Sequence, residues 1–112
     1  ERSIEGGQFA TTRILRQDPR TDAIVFTEDT TAVGGLHTLL ITGKRIPEDV
    51  AIVGVGHSRM TEIVSPRLTT VHLFYEDGGA EAAKMLLQIL ESGIDMRKQL
   101  KLGYEIIRQD SL

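Results

Sequence analysis

Ala51-Ile52-Val53-Gly54-Val55, running directly into Gly56-His57-Ser58-Arg59, is the stretch on which the fold turns. A short apolar run without polar alternation reads as a strand covered on both faces, the pattern of a parallel sheet. Ala23-Ile24-Val25-Phe26 repeats the pattern and gives way to Thr27-Glu28-Asp29-Thr30-Thr31. Open parallel sheets bind ligands just beyond the carboxyl ends of their strands. Glu28, Asp29, His57 and Ser58 therefore fall where such a fold keeps its chemistry.

The surrounding sequence supplies helices in alternation. Residues 6–17 space Phe9, Ala10, Ile14 and Leu15 for a helix, which Asp18-Pro19 closes because the residue before proline avoids helical torsions. A strand over 22–26 follows. Asp29 suits the N-cap of a helix running from Thr30 to about Thr42, and Gly43 suits the residue just past its end. Ile46-Pro47-Glu48-Asp49 reads as a turn before a strand over 50–55. Residues 57–67 read as a loop with room for one helical turn, and 68–73 as a strand or extended crossover. Ala82, Ala83, Leu86, Leu87 and Leu90 form one stripe of an amphipathic helix over 77–91. Leu100, Leu102, Tyr104 and Ile106 alternate with polar residues and glycine as a last, half-exposed strand. Strands alternating with helices predict an α/β domain with a largely parallel sheet.

Composition narrows the function classes. The 112 residues carry 40% apolar content, a formal net charge of -3 and no cysteine. That excludes disulfides and thiolate chemistry and fits a cytoplasmic protein. No stretch approaches the roughly 20 apolar residues of a membrane span. There is no basic stripe of the kind that holds nucleic acid, so any DNA contact must lie outside this chain. The start at Glu1 and the thin sheet predict a longer parent with more sequence before it. No Gly-x-Ser-x-Gly elbow, dinucleotide fingerprint or phosphate loop occurs, and His37, His57 and His72 lack metal-ligand spacing. The chain reads as a non-enzyme without cofactor or metal.

The second helix carries more apolar surface than a sheet can use. Leu39, Ala32, Leu36, Leu40 and Val33, extended by His37 and Ile41, cover an arc of about 200°, twice the ~100° a surface helix needs. Ala32, Leu36 and Leu39 can face the sheet. Val33, His37 and Ile41 are then left exposed, to be covered by the 57–67 loop, by a missing part of the fold, or by another subunit.

Five segments in order resemble the C-terminal part of the effector domain of LacI/GalR-family transcription regulators. They are residues 22–29, Ala32-Val33-Gly34, residues 43–54, Pro66-Arg67-Leu68-Thr69-Thr70-Val71, and the helix bearing Gly79, Ala82, Ala83, Leu86 and Leu87. Gly56-His57-Ser58 with Thr70-Val71-His72 looks most similar to the sucrose-operon type of repressor. The resemblance implies a three-layer, parallel-sheet, periplasmic-binding-protein-like (type I) domain. Residues 1–70 and 99–112 would form the C-terminal lobe, and 75–96 a helix of the other lobe, with a bending crossover over 69–75. It further implies a sugar or sugar-phosphate effector, a homodimer, and operator DNA held by an N-terminal helix-turn-helix outside the chain. A solute-binding component of a sugar importer shares the fold and is the alternative.

The resemblance also marks candidate residues. Glu28, Asp29, His57 and Tyr75 are the ligand candidates; Asp29 serves equally as a helix cap, and Tyr75 could pack between lobes. Val33, His37, Ile41, Ile63 and Val64 are the interface candidates, Ile63-Val64 being an apolar pair in a polar loop. Where the family has asparagine this chain has Glu28, and where it has the first aspartate after the second strand this chain has Gly56, so His57 or Glu28 is the expected substitute.

Overall fold

The computed structural model describes residues 1–94 and 97–112. Its elements are α1 (Ile4–Gln17), β1 (Ala23–Val25), α2 (Asp29–Ile41), β2 (Ala51–Val55), α3 (Met60–Ile63), β3 (Thr69–His72), α4 (Tyr75–Ser92) and β4 (Glu105–Ile107). They fall into two compact units, Glu1–His72 with Glu105–Leu112, and Leu73–Tyr104.

The larger unit is built on a sheet ordered β1-β2-β3-β4, parallel through β3 with β4 antiparallel at the edge. Register sets Ile24 beside Ile52 and Val53 beside Thr69. Ala32, Leu36 and Leu39 of α2 recur at helical spacing and are buried with Ile24, Ile52 and Leu68, forming the core together with Phe26, Ile46 and Val50. Leu39 and Ile52 are fully enclosed, each contributing about 1.5–3 kcal/mol of burial.

Among the described residues, burial on two faces occurs at Thr69 and Thr70 of β3 but not along β1 and β2. Exposure alternates along β1 and β2, and Val25 is 72% exposed. Helix α2 covers one face; among the described residues nothing comparable covers the other. The expected last strand is also shorter: residues 100–104 carry none, and pairing begins with Glu105 opposite His72.

The excess surface of α2 is partly explained by α1. The two helices approach backbone to backbone at glycines. A Cβ on Gly34 would strike the Ile4 carbonyl oxygen and lie 3.0 Å from the Gln8 nitrogen, and one on Gly35 would lie 2.9 Å from Thr11 Oγ1. The neighbouring His37 Nδ1 and Gln8 Nε2 are 2.9 Å apart. Val33, expected to be left exposed, packs half-buried against the core, as does Val64. Ile41 and Ile63 remain open, at 70% and 78% exposure.

The chain end is stitched into the sheet. Ser111 is fully buried: its N–H donates to the Arg67 carbonyl (3.0 Å) and its carbonyl accepts from Ile52 N–H (2.9 Å). Its hydroxyl donates to the Ile52 carbonyl (2.6 Å) and accepts from Thr69 N–H (2.8 Å). One serine thus supplies the bonds that β2 and β3 lack where their pairing stops. Gln109 N–H adds a bond to Thr69 Oγ1 at 2.9 Å.

In the smaller unit α4 follows Phe74, a left-handed residue (φ 52°), and ends at Gly93, also left-handed, whose N–H reaches the Ile89 carbonyl at 3.0 Å. Leu86, Leu87 and Leu90 are all exposed. The expected extent of this segment to 96 takes in residues 95 and 96, which lie outside the described residues.

Two outcomes check this packing. Gly34→Ala should destabilise the intact protein by about 1–3 kcal/mol in chemical denaturation, because backbone rather than a flexible side chain must yield. Arg45, bonded to Asp49 by Nε (3.1 Å) and Nη2 (2.8 Å), holds that carboxyl at about 2 instead of 3.8. The folded value is the lower one, so the pair's contribution is complete above 3.8 and disappears as pH falls through about 2. A carboxyl NMR titration should find that midpoint, and Arg45→Met should raise it part of the way, because the backbone N–H of residue 45 still donates to the carboxylate.

Candidate functional site

The ends of β1, β2 and β3 are tied together by one carboxylate. Asp29 is only 3% exposed. Its Oδ1 accepts from the Thr70 hydroxyl at 2.6 Å, and its Oδ2 from the Ser58 N–H at 2.7 Å. Thr70 Oγ1 in turn accepts the His57 N–H at 3.1 Å. Asp29 was expected to cap α2, and the structure corrects this: it is the first residue of the helix, and Glu28 takes the cap position. Each Asp29 oxygen accepts one bond from a neutral donor of the fold.

Glu28 is left with little to do structurally. Its carbonyl accepts from the Thr31 hydroxyl (2.9 Å) and Ala32 N–H (3.2 Å), while its side chain makes no capping bond. Oε1 is buried without a hydrogen-bond partner. Such a group in a native fold calls for an explanation, and a missing ligand is among the foremost.

His57 has the same character. It adopts a left-handed backbone (φ 54°), uncommon outside glycine and enriched at functional positions. Its ring stands edge-on to His72, centroids 5.1 Å apart at 80°. Its Nδ1 is buried with no hydrogen-bond partner. Gly56 before it has φ 129°, and a Cβ there would lie 3.4 Å from Asp29 Oδ2. An aspartate at 56 would be strained and would set a second acid against Asp29, which accounts physically for the glycine.

Glu28 and His57 are thus brought to one end of one sheet, with His72 beside them. Ser58 contributes its N–H rather than its hydroxyl, and Arg59 is exposed. Tyr75 is 64% exposed and belongs to the smaller unit. The His57–His72 contact was not anticipated; the only signal for it was that both residues end adjacent strands. Two concavities lie elsewhere, about 930 Å³ along α4 beside Arg97 and Lys98, and about 550 Å³ beside Glu5, Phe9 and Arg13 of α1. Neither is lined by a buried polar atom lacking a partner. Among the described residues no group of three or more His, Asp or Glu is placed to hold a metal, and no helix is long and apolar enough to cross a membrane.

Thr70→Val keeps the shape of the β3 end but leaves the His57 N–H unpaired and Asp29 with a single bond. A loss of about 1–3 kcal/mol in denaturant unfolding is expected, with displaced ring resonances for His57 and His72.

Comparison with known proteins agrees with this architecture. A family model described as periplasmic binding protein-like domain matches residues 2–112. The HTH-type transcriptional repressor PurR of Vibrio cholerae is 32% identical over 104 residues, which cover 93% of this chain and 31% of that protein. This chain therefore spans about a third of that relative's length. The structure of the transcriptional regulator CelR with cellobiose superposes with a TM-score of 0.93 at 28% identity, over 97% of this chain and 33% of that one. A LacI family transcriptional regulator from Arthrobacter sp. FB24, in complex with lactose, gives 0.87 at 30% identity, over 99% and 42%. With the family model matching residues 2–112, the chain belongs to the periplasmic-binding-protein-like domain family, and its homologues are transcriptional repressors of the LacI and PurR type.

Proposed function

We propose that this chain is the effector-binding and dimerisation part of a bacterial transcriptional repressor that controls carbohydrate-utilisation genes. The observation that carries the reading is the pair of buried, unpartnered atoms, Glu28 Oε1 and His57 Nδ1, at the strand ends of this fold. A polyhydroxylated molecule brings both donors and acceptors to such atoms. The two solved relatives, one with cellobiose and one with lactose, support a sugar or sugar phosphate as the class. They also favour a regulator over an importer component and over an enzyme. The sucrose-operon type remains the finer reading, supported by Gly56-His57-Ser58 and Thr70-Val71-His72 alone.

In this reading the protein acts in the cytoplasm and meets operator DNA through a part outside the chain. Tyr75 is a further ligand candidate. The second copy docks on the open apolar side chains Ile41 and Ile63, flanked by His37 and backed by the half-buried Val33 and Val64. Effector must bind two states differently to be felt at the operator, with a coupling of about 1–3 kcal/mol.

Operator affinity of the full-length protein, measured by fluorescence anisotropy, should therefore change about 5- to 150-fold on saturation with the cognate sugar. Identical affinity with and without every bound sugar would remove the regulatory reading. For the interface, Ile41→Asp and Ile63→Asp each place two unpaired carboxylates near a two-fold axis. Sedimentation at micromolar concentration should show a dimer for the parent and a monomer for the variants.

A further inference from the structure

We infer that Glu28 and His57 make the site selective for an uncharged, hydroxyl-bearing effector over a phosphorylated or carboxylated one. This deepens the proposed sugar-responsive reading and rests on it. The site holds two carboxylates in sequence, Glu28 and Asp29, and among the described residues none of the ion pairs involves either of them. Asp29 is satisfied by a hydroxyl and a backbone N–H, so its negative charge stays uncompensated by any cation. Glu28 has a buried oxygen with no donor at all. An ionised carboxylate only accepts hydrogen bonds. What it lacks is therefore a donor, and a ligand hydroxyl is one.

An anionic group offers the opposite. Phosphate oxygens are acceptors at neutral pH, so they leave Glu28 unsatisfied and add repulsion from two nearby carboxylates. Arg59, two residues beyond His57, is exposed and bonded to neither acid. His57 Nδ1, buried without a partner, is placed to share a hydrogen bond with a ligand hydroxyl, so it orients the sugar while Glu28 sets the selection.

The test is calorimetric titration of the full-length protein at pH 7.5 with glucose, sucrose, lactose and cellobiose, each paired with its 6-phosphate. The neutral form of whichever sugar binds should be at least tenfold tighter than its phosphate. Glu28→Gln keeps the length and the backbone cap but removes the charge. It should weaken the neutral sugar about 10- to 100-fold and shrink the selectivity ratio toward one. His57→Asn keeps a residue that tolerates the left-handed backbone; it should weaken both forms alike and leave the ratio intact. Circular dichroism melts of both variants verify folding, and the parent's ratio stands as evidence without them. A phosphate form that binds more tightly, with binding abolished by Arg59→Ala, overturns the selectivity while leaving the sugar-responsive reading standing. An unchanged ratio in Glu28→Gln does the same. No binding of any member in either form overturns both.

Discussion

The buried carboxylate of Asp29 is the tie on which the strand ends depend. It begins α2, yet it spends neither oxygen on that helix; one bond goes to Thr70 on β3 and the other to the backbone after β2. Charge-assisted bonds are among the stronger single contacts in a folded chain, and a buried acid left without them would cost several kcal/mol. Three strand ends are therefore held at one separation, and Thr70 passes the constraint to the His57 backbone. The left-handed His57 is tolerated because its N–H has a fixed acceptor and its neighbours are pinned on both sides.

Two adjacent acids thus divide the work. Asp29 is satisfied from within and shapes the site; Glu28 is unsatisfied from within and is available to something outside. The same contrast separates Ser58, consumed by its N–H, from His57, whose Nδ1 has no partner. Rigid support behind an unsatisfied surface is what recognition requires, since the ordering of the binding groups has already been met by folding.

The packing behind the site has one weak side. Helix α2 lies between the sheet and α1, with glycines at the closest approaches: Gly34 meets the Ile4 and Gln8 backbone, and Gly35 the Phe26 ring and the Thr11 hydroxyl. The opposite sheet face, with Val25 exposed, has no such cover among the described residues. The C-terminal stitch at Ser111 adds bonds at one end of the inner strands β2 and β3.

Sequence by itself determined the element order, the parallel class of the sheet, the helix stop at Asp18-Pro19 and the placement of Glu28 and His57 at strand ends. These follow from local periodicity and turn chemistry, which act over a few residues. The one-sided helix over 77–91 was legible for the same reason. Tertiary structure alone decided which acid faces inward. In sequence Asp29 is the better cap, and only donors 29 and 41 residues away along the chain, Ser58 and Thr70, draw its carboxylate inward instead. It also decided that Val33 and Val64 pack half-buried against the core, that Ser111 stands between two strands, and that His57 meets His72. Each of these depends on which distant backbone happens to arrive alongside, and hydrophobic pattern carries no record of a hydrogen bond made across the fold.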